Sequence, residues 1–207
     1  MKVMSFGFIS GNDTPTIWRG PLVSRMTEQF FRDVEWGKLD YLILDLPPGT
    51  GDIQLTLTQK LRMTGAIIVT TPQDIALADV RKGADMFRKV QTPVLGVVEN
   101  MSGLLLEGSI KDSNGTKIPG GSVVLSDGKV AQLDLDGSFK LKIDLFKQGG
   151  GVAESNRLGV PLLGQIPIAI EIMESTDAGE PIVYKSPDSS ISQIYLSIVD
   201  SVLSVIE

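Results

Sequence analysis

Five runs of nearly unbroken aliphatic residues limit what this chain can fold into. They are "KVMSFGFI" (2–9), "YLILDL" (41–46), "GAIIVTT" (65–71), "PVLGVVEN" (93–100) and "VPLLGQIP" (160–167). A strand wetted on one face alternates polar with apolar residues, whereas a strand covered on both faces reads as a continuous apolar run. Helical periods lie between the runs. Pro21 suits the first turn of one, with Leu22, Met26 and Phe30 recurring on a face. Asp74 stands at an N-cap position ahead of Leu77, Val80, Ala84 and Phe87. Near the C-terminus, Ile191, Ile194, Ile198, Val202 and Ile206 form a third stripe. Strand–helix alternation with short links predicts an α/β fold with a doubly wound, mainly parallel sheet. Ligands of such sheets bind beyond the carboxyl ends of the strands, where Asp45 and Asn100 fall.

Residues 108–142 break this rhythm. "VVLSDGKVAQL" sets two β-prone runs around Asp127-Gly128, a strong hairpin signal. "LDLDGSFKLKI" repeats the device at Asp136-Gly137, after which Phe139, Leu141 and Ile143 alternate with Lys140 and Lys142. The pattern predicts a three-stranded antiparallel β-meander with one wet face. It is inserted at 108–142 into an α/β domain made of 1–107 and 143–207.

Composition removes several chemistries. The 207 residues contain no Cys and no His, so the chain has no disulfide, thiolate-held cluster, imidazole-held metal or Ser-His nucleophile. A net charge of −6 opposes a nucleic-acid-coating role, which needs a basic footprint. It disfavours a DNA-partitioning reading for the same reason. No apolar run approaches the roughly 18 residues of a membrane span, and the first residues lack the pattern of a secretion signal. The expectation is a soluble cytoplasmic domain.

The chemistry concentrates in "DLPPGTGD" (45–52). A carboxylate at the end of a buried strand is costly unless paired, hydrated or near a metal. Two prolines stiffen the exit, and Gly49 and Gly51 allow the backbone to pass close to a ligand. Asp52 is placed to cap a helix beginning at Ile53. From these residues alone, a phosphate-sensing loop and a rigid strand-to-helix turn are equally open. Asn100 in "VVENMSG" can contact a purine edge or satisfy its own loop. Arg19 in "TIWRGP" can reach a phosphate or stay solvated. "QGGGVAE" (148–154) can form an anion nest or a plain turn. A phosphate-binding loop reads G-x-x-x-x-G-K-[ST]. The Gly-Lys pairs here, Gly37-Lys38 and Gly128-Lys129, precede Leu39 and Val130 and fit no such loop.

Several long stretches closely resemble the Mrp family of ApbC-type, MinD-related P-loop ATPases linked to iron–sulfur cluster assembly. They are "DTPTIWRGPLV", "LDYLILDLPPGTGDIQLTLTQ", "GAIIVTTPQDIALADVRKGADMFRKV", "PVLGVVENMSG" and "GVPLLGQIPI" with "STDAGEPIV". The resemblance implies a MinD-like P-loop NTPase fold whose first strand, P-loop and first helix lie upstream of Met1. It implies ATP and Mg²⁺ as cofactors, with Asp45 as the Walker B-type acid holding the Mg²⁺ hydration shell. Gly49, Thr50, Gly51 and Asp52 correspond to the switch II loop, so that Asp45 and Asp52 are the catalytic acids. Asn100 corresponds to the adenine-contacting residue, with Pro167 and the loop after it alongside the base. It also implies a homodimer and iron–sulfur assembly or client proteins as partners. The family carries a Cys-x-x-Cys pair shortly after the stretch matching "ENMSG"; here the meander takes that place, and no cluster is expected on this chain. The insert itself resembles, over a shorter span, a carboxypeptidase-regulatory-like β-domain. The resulting expectation is an ATP-binding domain of an iron–sulfur assembly ATPase, inactive in this chain because P-loop and Cys-x-x-Cys are missing. The alternative is a non-catalytic binding or scaffold module that uses the meander.

Overall fold

The computed structural model describes residues 1–10, 20–46 and 52–207. The chain divides into two units, Met1–Thr64 with Lys82–Pro93 and Gly65–Arg81 with Val94–Glu207. In the first unit a single helical turn, α1 (Gly7–Ser10), precedes α2 (Gly20–Arg32) and α3 (Asp52–Lys60). The aromatic period anticipated in α2 is used: the Phe30 ring lies 4.8 Å from that of Phe6, tilted by 47°. Trp36 then donates its indole N–H to the Phe30 carbonyl at 2.9 Å, folding the chain back over the helix end. Lys2 Nζ donates to the carbonyls of Glu35 and Trp36 at 2.9 and 2.7 Å.

Two of the five expected strands are not strands. Residues 1–5 are irregular and run into α1, and 41–46 is irregular without a ladder partner among the described residues. Ile43 is 89% exposed. An aliphatic run supplies side chains that suit a sheet, but a strand exists only when a neighbouring backbone pairs with it. Neither run has that neighbour among the described residues.

The second unit holds the sheet. Its elements are β1 (Ala66–Thr70), the first half of α4 (Asp74–Lys89), β2 (Val94–Ser109), β3 (Ser122–Val124), β4 (Val130–Gln132) and β5 (Ser138–Ile143). They are followed by α5 (Gly150–Leu158), β6 (Leu162–Ile168), α6 (Ile170–Asp177), α7 (Ile182–Lys185) and α8 (Ser190–Ile206). β2 is central. Its first half pairs in parallel with β1 on one side, from Ala66↔Val94 to Thr70↔Glu99. On the other side it pairs in parallel with β6, from Val97↔Leu162 to Asn100↔Ile166. Both faces of β2 are covered at Val97, Val98 and Glu99, as a continuous apolar run requires, whereas Ile67 and Val69 leave one face of β1 exposed. On one face Val98, Leu163 and Ile166 pack against Ile194, Ile198 and Val202 of α8. The C-terminal stripe read from the sequence is therefore a core stripe. Ser189 caps α8, its hydroxyl accepting from the Ser192 N–H at 3.1 Å. On the other face α5 lies against Glu99.

Beyond Asn100 the strand changes partners. Met101 (φ 55°) and Gly103 (φ 126°) take left-handed backbone, and the β2–β6 register breaks between Asn100 and Leu104. Such an irregularity re-aims a strand. From Leu104↔Ile143 to Ser109↔Ser138, β2 then pairs antiparallel with β5. The sheet is thus mainly parallel with one antiparallel strand. The predicted three-stranded meander is corrected by this pairing. The Asp127-Gly128 hairpin forms as expected, with Gly128 at φ 83° and β3 paired to β4. β5 instead leaves β4 for the edge of β2, where Leu141 is buried. Alternation named the faces of β5 but not the strand it would join, and the longer edge won.

The turn before β5 carries a charge device. Asp136 accepts hydrogen bonds from the Ser138 hydroxyl and backbone N–H and faces Lys117, which together hold its pKa down to about 2 from an ordinary 3.8. A depressed carboxyl pKa favours the folded state above the unfolded value, and that contribution is lost as pH falls through the folded one. Carboxyl-carbon NMR titration is expected to place the Asp136 midpoint near 2. A midpoint near 4, the free-carboxylate value, contradicts the turn geometry.

Candidate functional site

The residues proposed from sequence divide between the two units. In the first, Asp45 is an exposed acid near the end of the 41–46 segment, and α3 begins at Asp52. Gly49, Thr50, Gly51 and Arg19 lie outside the described residues, as does the Asp52 side chain.

In the second unit Asn100 and Pro167 lie on neighbouring paired strands. Asn100 stands opposite Ile166, so Pro167 follows on the neighbouring strand. Pro167 is buried within β6. Among the described residues β6 pairs only with β2, and an edge strand tolerates a proline because its outward N–H makes no ladder bond. The Asn100 Oδ1 accepts the Met101 N–H at 2.9 Å and supports the left-handed residue beside it. The loop-satisfying reading therefore accounts for the carbonyl half of the carboxamide. The Nδ2 half remains a donor at the carboxyl end of the central strand.

Sequence reasoning missed Glu99. It is 2% exposed, and both carboxylate oxygens are engaged. Oε2 accepts the Gly151 N–H at 2.6 Å, and Oε1 accepts from Gln165 Nε2 at 2.6 Å. Gly149 precedes α5 at φ 79° and offers no side-chain cap. The first N–H groups of a helix need an acceptor and its positive end favours an anion. Glu99 meets both needs from the adjacent strand. The glycine-rich "QGGG", read as a candidate anion nest, holds an anion from within the protein. The available signal was a lone acid inside an aliphatic run, "VVEN", a placement that requires a partner.

A second buried acid, Glu154, lies on α5. Its side chain is fully buried, and Arg157 grips it through Nε at 3.0 Å and Nη2 at 2.6 Å. Arg81 of α4 adds a longer contact at 3.4 Å. This cluster ties the first half of α4 to α5. Among the described residues no three His, Cys, Asp or Glu side chains are grouped so as to hold a metal ion. Among the same residues no helix is long and apolar enough to cross a membrane.

Comparison with known proteins places these features. A family model described as ParA, NUBPL iron-transfer P-loop NTPase, matches residues 1–133 and 135–203. The iron-sulfur cluster carrier protein of Aquifex aeolicus is 41% identical over 208 residues, which cover 100% of this chain and 49% of that protein. The chain thus spans about half the length of the curated relatives it matches. A nucleotide-binding protein from Archaeoglobus fulgidus, solved in complex with ADP, is similar with a TM-score of 0.53 and 31% identity. That match covers 76% of this chain and 53% of the other. The septum site-determining protein MinD from Pyrococcus horikoshii, solved with Mg-ADP, gives a TM-score of 0.53 at 21% identity. It covers 91% of this chain and 60% of that one, and shows the fold to be MinD-like.

Proposed function

The chain belongs to the ParA-type, NUBPL-like family of iron-transfer P-loop NTPases, and from that premise we propose that it forms the switch and base-contacting part of an ATP-responsive iron–sulfur cluster carrier. The observation that carries the reading is Asn100. It closes the parallel half of β2, opposite Ile166 and one residue before Pro167 on β6, and the carboxyl ends of parallel strands are where such sheets take ligands.

The residues present fit part of a bound Mg-ATP. Asn100 donates to a base acceptor, and the chain around Pro167 lines the base. Asp45 is a lone exposed carboxylate, which suits an acid that holds Mg²⁺ through its water shell rather than directly. Gly49, Thr50, Gly51 and Asp52 form the loop that responds to the terminal phosphate, and Arg19 is a candidate phosphate contact. Mg-ATP, when bound, supplies the phosphoryl bond and the charge to which this loop responds. The 207 residues hold no G-x-x-x-x-G-K-[ST] sequence, so the amides and lysine that position and neutralise the phosphates have no counterpart here. With no cysteine, the chain offers no thiolate to a cluster. We extend the reading to a cytoplasmic homodimer that serves iron–sulfur client proteins.

Titration calorimetry with Mg-ATP, together with phosphate release, tests this. The 207-residue chain is expected to show weak or no affinity and no turnover. Micromolar binding with turnover overturns the inactive reading. Sedimentation of the same sample checks the dimer, and a monomer at every concentration removes it.

A further inference from the structure

A cavity of about 360 Å³ opens in the second unit at the carboxyl ends of β1, β2 and β6. That volume is at the lower end of small-molecule sites. Glu99 lies among its lining residues, and Ser102, Gly103 and Lys142 form one wall. Phe146 and Lys147 line it from the segment leading to α5. Along β2, Glu99 sits on the α5 face, opposite Val98 and the α8 core, so the cavity belongs to a different side of the strand from Asn100.

The charges around the cavity do not cancel evenly. Glu99 is held by the start of α5 and by Gln165. Asp144 is paired with Lys129 at 3.3 Å, and Lys147 with Asp74 at 3.0 Å. Lys142 forms no salt bridge among the described residues, although its charge reaches Asp144 and helps to lower that carboxyl's pKa, and its hydrogen bond is to the Ser102 hydroxyl at 3.4 Å. Lys142 itself is exposed, and its stem runs past Gly103. A Cβ on Gly103 would come within 2.9 Å of the Lys142 Cε and 3.1 Å of the Ile143 carbonyl. The φ of 126° at residue 103 is a backbone that side-chain-bearing residues rarely adopt, so glycine is favoured beneath the Lys142 stem. Lys140, one pleat away, is spent on Glu107 and Ser190.

We propose that this cavity is a binding site for a small organic anion, whose carboxylate or phosphoryl oxygens are taken by the Lys142 ammonium and the Ser102 hydroxyl. An exposed ammonium whose hydrogen bond goes to a neutral hydroxyl, on the wall of a mainly polar cavity that also includes Phe146, selects for an anionic head on a compact body. The site is independent of the nucleotide reading, since no purine contact enters it.

The test uses the full chain in phosphate-free buffer at constant ionic strength. Backbone amide shifts are followed by NMR while sodium phosphate, and separately sodium malonate, is added. Saturable shifts confined to Ser102, Gly103 and their neighbours are expected for at least one anion, and the arm that saturates first names the head group. Lys142→Met is expected to weaken binding about tenfold, the scale of one hydrogen bond to a charged group. Lys142→Arg retains it, and Lys140→Met leaves it unchanged. No saturable shift with either anion overturns the proposal. So do shifts scattered over the surface lysines, or equal binding by Lys142→Met. Because neither probe carries a base, failure here leaves the Mg-ATP titration untouched.

Discussion

Replacing Arg157 with leucine is expected to destabilise the sheet-bearing unit by about 3 kcal/mol, the scale of stranding a buried charge. The Glu154 side chain is fully buried, and Arg157 supplies its two-pronged contact. Without Arg157 the carboxylate keeps, among the described residues, Arg81 at 3.4 Å, itself 51% exposed and screened by water. The reverse deletion is expected to cost less. In Glu154→Gln the guanidinium of Arg157, 32% exposed, can recover hydration while the amide still accepts a hydrogen bond. The expected order is Arg157→Leu worst, then Glu154→Gln, then Arg81→Leu. Native-state hydrogen exchange at α5 amides reads this directly. Tryptophan emission does not, because Trp36 lies in the other unit. Equal losses for Arg157→Leu and Arg81→Leu would contradict the assigned grip.

One substitution is expected to change sign between two helices. Gly151→Ala places a Cβ 2.7 Å from the Glu99 Cβ and 3.1 Å from its Oε2. The clash falls near the root of a buried side chain that cannot swing away, and it disturbs the hydrogen bond that holds Glu99. Overpacking and a compromised buried acceptor together are expected to cost about 3 kcal/mol. Alanine's better helix propensity, about 1 kcal/mol, offsets part of that. Gly83, inside α4, has no atom within 4 Å of a built Cβ. Gly83→Ala is therefore expected to stabilise by about 0.5–1 kcal/mol through propensity alone. Denaturant midpoints, with exchange rates in α4 and α5, check both. A Gly151→Ala protein as stable as the parent would show that Glu99 does not hold the start of α5.

The pair also marks where sequence reading stopped. "QGGGVAE" and "VVEN" each carried a legible oddity, a run of glycines before a helix and an acid inside an aliphatic strand. Nothing in either stretch says that they answer each other, because 52 residues separate Glu99 from Gly151 along the chain. Asn100 and Pro167 were singled out from family likeness; the register of β2 with β6 sets Asn100 opposite Ile166, the residue before Pro167. Of the acids in "DLPPGTGD", Asp45 is described only as exposed, and the catalytic roles of Asp45 and Asp52 rest on the family likeness. Lys142 was read as one wet position in an alternating strand. Only the switch of β5 from β4 to β2 turns that position toward a cavity.

The sequence by itself determined the α/β class, the mainly parallel character of the sheet, the α8 core stripe and the family. These depend on periodicity and on motifs contiguous in the chain, and both survive without knowledge of neighbours. Tertiary structure alone decided which aliphatic runs became strands, which edge β5 joined, and which donors received the buried carboxylates of Glu99 and Glu154. Those outcomes turn on backbone edges and polar groups that meet across long separations. A hydrogen-bonding group takes whichever partner the packed chain brings within about 3 Å, and sequence order does not name that partner.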